Sequence, residues 1–159
     1  MKKIQILASL FLVPAFAWAS DAALHIPKSV PYQDETQIQK NVVSQCTSLG
    51  SNFSDFISTS LIKNGYSVVK VDPLDITNDI VLDVKITNLM SAGNAFLGHQ
   101  KSVTAVAKVY KNGQAGPTEV FTRHTMGGFG AGFKGSCTVL DRDTTALAND
   151  IAQWYKKQG

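Results

Sequence analysis

Three patterns in this sequence predict an α+β fold, a two-layer sandwich with two main helices packed on one face of a largely antiparallel sheet. Apolar residues recur three and four apart around 43–63 and again around 140–154, the spacing of one helical face. Residues 80–87 and 103–110 alternate apolar and polar, and the second run leads into Asn112-Gly113, a hairpin signal. Helices with one apolar face and strands with one apolar side bury both by packing in two layers.

Along the chain, the first element is an address. Lys2 and Lys3 precede an apolar run from Ile4 to Phe16, and Ala17-Trp18-Ala19 supplies small-x-small before Ser20, so 1–19 reads as a signal peptide cleaved after Ala19. The run is too short to span a bilayer comfortably. No cysteine stands near Ser20, so the acylated start of a bacterial lipoprotein is not expected. Residues 20–40, with Pro27 and Pro31, read as an extended arm with one short strand around Leu24–Ile26, and 41–159 as a single domain.

In that domain Cys46, Leu49, Phe53, Ile57 and Leu61 form the first helical stripe, interrupted by Gly50 and Asn52 and surest over Phe53–Lys63. Asn64-Gly65 caps it, and 66–71 reads as a strand broken by Asp72-Pro73. Ile80, Leu82, Val84 and Ile86 form the apolar side of the next strand, and Ser91–Gly98 a small-residue loop carrying Phe96 and Leu97. Val103, Ala105, Ala107 and Val109 define a third strand, with 119–125 its returning partner. After the glycine-rich stretch 127–135, Leu140, Thr144, Leu147, Ile151 and Trp154 line the last helix, for which Ser136 or Thr138 is the expected cap.

The expected mature chain carries 13 basic residues against 12 acidic ones, a net charge of +1, without a Lys/Arg cluster. That excludes nucleic acid as the expected partner, since such binding draws its affinity from phosphate neutralisation. Cys46 and Cys137 are the only cysteines, and export favours pairing them. The alternatives are a catalytic thiol or half a metal site, although neither cysteine has a nearby histidine or a Cys-x-x-Cys.

No catalytic set stands out. Gly130–Gly135 matches G-x-G-x-x-G between a strand and a helix, but the chain has no following strand with an acidic end to hold a ribose. His25, His99 and His124 are scattered, so no metal and no cofactor is expected. Asp141 and Asp143 read as carboxylates complementing the start of the last helix. Phe96, Leu97, Phe129, Phe133 and Lys134 sit among glycines and form the candidate interaction surface, with closure of the core as the competing role.

Residues 126–137, Met-Gly-Gly-Phe-Gly-Ala-Gly-Phe-Lys-Gly-Ser-Cys, followed by Asp150-Ile151-Ala152-Gln153-Trp154, resemble the carboxy-terminal signature of an uncharacterised family of small exported proteobacterial proteins. Cys46–Leu49 and Gly93–Phe96 fit the same family, whose members often carry a further cysteine where this chain has Asp143. The resemblance implies architecture and address, not an activity. More distantly, the order of elements is similar to the anticodon-binding-like fold of envelope domains such as the amino-terminal domain of the Tol translocation protein, which that likeness implies as a docking module.

The expectation is therefore a non-catalytic periplasmic or secreted protein that binds another envelope protein or a cell-wall component. Two alternatives compete with it. One is an exported hydrolase with a site assembled from His99, His124 and Asp83; the other is an inhibitor or immunity protein.

Overall fold

The computed structural model describes residues 22–94, 98–127 and 135–158, so the segment read as a signal peptide lies outside the described residues. Five strands and three helices follow in the order β1 (Leu24–Pro27), α1 (Lys40–Gln45), α2 (Leu49–Lys63), β2 (Val68–Val71), β3 (Ile80–Asn94), β4 (Gly98–Lys111), β5 (Gln114–Gly127) and α3 (Ser136–Lys156). The strands form one sheet in the order β2-β1-β3-β4-β5. β3, β4 and β5 pair antiparallel, whereas β1 runs parallel to both neighbours. The predicted α+β class and the antiparallel second half of the sheet are what the fold has.

The segment read as an extended arm is not an appendage. Leu24 and Ile26 are 1% and 0% exposed, and their strand lies between β2 and β3. Beyond it the Ile86 amide donates to Pro31 O at 2.9 Å and the Gln33 amide to Ile86 O at 2.8 Å, so the chain stays fastened to β3. A four-residue strand ending at Pro27 is too short to display a period. Its place is set by burial of Leu24, Ile26, Val30 and Ile38 in the common core.

α2 begins at Leu49, four residues before the surest predicted stretch, and contains the Gly50 and Asn52 read as interruptions. Gly50 is tolerated there because the helix must approach the β1 segment closely. A Cβ at Gly50 would lie 2.5 Å from Val30 O and 2.7 Å from Ser29 Oγ, and the Val30 amide donates to Gly50 O at 3.0 Å. At the other end Gly65 has φ +90°, the left-handed cap expected of Asn64-Gly65. The hairpin at Asn112 (φ 49°) and Gly113 (φ 78°) also forms as its sequence dictates.

α2 and α3 lie side by side on one face and run parallel. Asn52 Nδ2 donates to Asp141, Ser60 Oγ to Asn149 Oδ1 and Gln153 Nε2 to Asn64 Oδ1, and every pair is 89 residues apart. A constant offset over three turns is what parallel helices produce. At the amino ends of this pair Cys46 and Cys137 form a disulfide, with Cα atoms 5.3 Å apart. β5 crosses the other flank of α3: Phe121 meets Trp154 edge-on at 5.8 Å, and Arg123 makes a bidentate ion pair with Asp150 at 2.5 and 2.7 Å.

Two outcomes test this packing. Gly50→Ala should lower stability by about 1–3 kcal/mol in a denaturant melt, because overpacking against backbone outweighs the gain of about 1 kcal/mol in helix propensity. A stabilised variant would mean that α2 does not sit this close to Val30. Closing a loop of 91 residues contributes about 4–5 kcal/mol through chain entropy, so Cys46→Ser and Cys137→Ser should each lower the melting temperature markedly. The double variant should be no worse than either single one, and two free thiols in the folded protein under non-reducing mass spectrometry would refute the pairing.

Candidate functional site

The five residues of the expected interaction surface, Phe96, Leu97, Phe129, Phe133 and Lys134, lie outside the described residues. The described backbone fixes where their segments attach. His99 pairs with Gly93 on one side and Gly127 on the other, so 95–97 and 128–134 both leave from the same end of the sheet.

Just inside that end, the pairing register lines up Ser91, Lys101 and Thr125 in one row across β3, β4 and β5. Directly opposite residues point to the same face. Lys101 is two and four positions before Val103 and Ala105, both fully buried on the helix side, so the row points at α3. Lys101 is accordingly only 4% exposed. Its Nζ donates to Ser91 Oγ at 2.5 Å and to Ser136 Oγ at 3.0 Å, and Ser91 Oγ lies 3.4 Å from Ser136 Oγ. Both serines are half-buried residues, so a buried lysine is held by two side chains at the margin of the core.

Next to it the Thr125 hydroxyl donates to Asp143 Oδ1, and Asp143 is 4% exposed with Oδ2 lacking a hydrogen-bond partner among the described residues. No described carboxylate comes within 4.0 Å of Lys101 Nζ. Burial without a counter-charge disfavours the ammonium, which pushes the Lys101 pKa below the ordinary lysine value. The shift enlarges the fraction of the neutral amine, the form able to take a proton from a neighbouring hydroxyl, relative to an exposed lysine at the same pH.

Several sequence expectations change here. Ser136 does not cap α3: the N-cap position is Gly135, and the Ser136 hydroxyl is bound by Lys101 instead. Asp141 and Asp143 lie beyond the first turn, where the helix dipole has faded. Asp141 accepts from Asn52, and Asp143 holds Thr125. The hydrolase constellation of His99, His124 and Asp83 is also undone. Asp83 pairs with Lys108 and His124 with Ser102, six positions apart along β4, which is about 20 Å at the rise of a strand. His99 is farther still along β4, and Asp83 is ion-paired with Lys85 at 3.2 Å.

The meeting of Lys101 with Ser91 and Ser136 went unnoticed in the sequence, although one signal for Lys101 was there. Extending the Val103, Ala105, Ala107 alternation back by one step puts Lys101 in the buried phase. Its partners lie 10 and 35 residues away, beyond the reach of any local pattern.

No protein-family model matches the chain, and no curated protein does. Among solved structures it is similar to protein XCC0632 from Xanthomonas campestris, of the family DUF330, at 13% identity and a TM-score of 0.57, covering 92% of this chain and 91% of that one. It is similar to the PelC dodecamer from Paraburkholderia phytofirmans at 10% identity and a TM-score of 0.54, covering 82% and 87%. Lipoprotein GNA1162 from Neisseria meningitidis follows at 12% identity and a TM-score of 0.50, covering 83% and 99%. At such identities the likeness is one of fold. None of the three is named for an enzymatic activity. Among the described residues no helix is long and apolar enough to cross a membrane, and no three His, Cys, Asp or Glu converge as metal ligands do.

An unpaired buried ammonium costs stability, so Lys101→Met should leave the protein as stable or more stable at neutral pH in thermal melts. The folded-state pKa lies below the unfolded value of 10.5, so this cost is present at neutral pH and fades as the pH rises through that window. A loss of more than about 1 kcal/mol on this substitution would show that the hydroxyl contacts hold the fold together.

Proposed function

We propose that the protein is an exported module of the bacterial envelope that docks another envelope component through the end of the sheet from which 95–97 and 128–134 depart. The observation that carries this reading is the fold, which it has in common with a lipoprotein and with a protein that assembles as a dodecamer. The basic and apolar start before Ala17-Trp18-Ala19 and the paired cysteines suit an oxidising, exported setting. Aromatic Phe96, Phe129 and Phe133, interleaved with glycines and flanked by Lys134, have the composition of a contact patch, in which large side chains anchor while backbones approach closely. Docking of this kind requires no catalytic group.

Photo-crosslinkers placed at Phe96 and Phe129 in intact cells should capture one defined envelope protein, and the protein recovered from the periplasmic fraction should begin at Ser20. Probes at Ile62 on α2 and Val69 on β2, both exposed and away from that end, should not capture it. Capture from Ile62 or Val69 alone would overturn the assignment of the surface.

A further inference from the structure

We propose that Ser91 and Lys101 form a serine–lysine pair that accepts an acyl group from an ester, with Ser91 as nucleophile, Lys101 as its general base and Ser136 holding the lysine in place. The juxtaposition meets the geometric requirement of an activated serine: Nζ and Oγ are 2.5 Å apart, within hydrogen-bond range for direct proton transfer. The second hydroxyl, Ser136 Oγ at 3.0 Å, occupies another position around Nζ and limits its rotation. Exposure is distributed as the chemistry needs, because Ser91 is half-buried and Lys101 is 4% exposed. Both residues stand on paired strands, so the backbone that carries them is rigid.

The depressed lysine pKa works in the same direction, since a neutral amine is the form that can accept a proton. On the packed elements, Thr125, opposite Lys101 on β5, holds Asp143 of α3, and Arg123, opposite Val103 on the same strand, is engaged by Asp150. In the acylation step the Ser91 proton passes to Nζ, Oγ bonds to the ester carbonyl carbon, and the carbon–oxygen bond to the leaving group breaks. The leaving alcohol takes the proton from Nζ. Water then attacks the acyl-serine with Lys101 again as base, which releases the carboxylic acid and restores both groups without oxidation or reduction.

The proposal goes beyond the docking reading and stands separately from it, because crosslinking to a partner depends on neither side chain. The test exposes the folded, exported protein to a reporter-bearing fluorophosphonate, with heat-denatured protein as the control. Peptide mapping should place one label on Ser91, at a rate that rises with pH through a midpoint below the ordinary lysine range. Ser91→Ala should abolish labelling. Lys101→Arg, which keeps the charge and the donors but cannot act as a base, should slow it by about 100-fold or more. Ser136→Ala should shift the pH midpoint, which a purely structural hydroxyl would not do, and Ser136→Thr should restore it. If Lys101→Arg fails to fold, the pH profile and the mapped site in the unmodified protein decide. Labelling no faster than in the denatured control, a label on another residue including Ser136, or a rate indifferent to Lys101→Arg in folded protein would overturn the proposal.

Discussion

Two helices held in parallel by their amino ends form the constraint on which the rest of the structure depends. The bond between Cys46 and Cys137 fixes the start of α3 beside the turn that leads into α2, and the ladder from Asn52–Asp141 to Asn64–Gln153 keeps them in step over their length. Parallel neighbours place like ends of two helix dipoles together, a modest cost. The covalent tie and the buried stripe of Phe53, Ile57, Leu61, Leu147 and Ile151 offset it. With α3 fixed in this way, β5 can lay Phe121 on Trp154 and Arg123 on Asp150.

The inner face of the sheet shows what that arrangement demands. Ala105 and Ala107 on β4 are fully buried beside the larger Leu82, Val84 and Ile86 of β3. Small side chains there let the helices settle close to the sheet, as dense packing requires. Toward the far end of β3 to β5 the same phase of β4 changes from Val103 to Lys101, and the apolar core gives way to a layer of Ser91, Thr125, Ser136 and Asp143. A buried lysine with hydroxyl partners but no described carboxylate is an expensive way to finish a core. Its cost is what sets that end of the molecule apart from a simple closure of the fold.

The same end carries the attachment points of both glycine-containing segments. The register that brings His99 between Gly93 and Gly127 joins in space two stretches about thirty residues apart in the chain, and it places the polar layer directly behind them. A docking surface and an acyl-accepting pair would thus be neighbours, each built on the extended part of β3, β4 and β5. The prolonged strands explain why the segment read as a loop from Ser91 is in fact strand as far as Asn94.

The sequence by itself determined the elements whose signals are local. Alternation over 80–86 and 103–109, helical stripes ending in Leu61 and Trp154, and the left-handed positions at Gly65 and Gly113 depend on residues within a few places of one another. The class of fold follows from those, and so does the availability of Cys46 and Cys137 for each other. Only the tertiary structure decided that 24–27 lies inside the sheet, that Gly50 belongs within a helix because Val30 lies against it, and that Ser136 serves Lys101 instead of capping α3. Each of these depends on contacts between residues far apart in the chain, and periodicity records which face a residue occupies but not which distant partner meets it there.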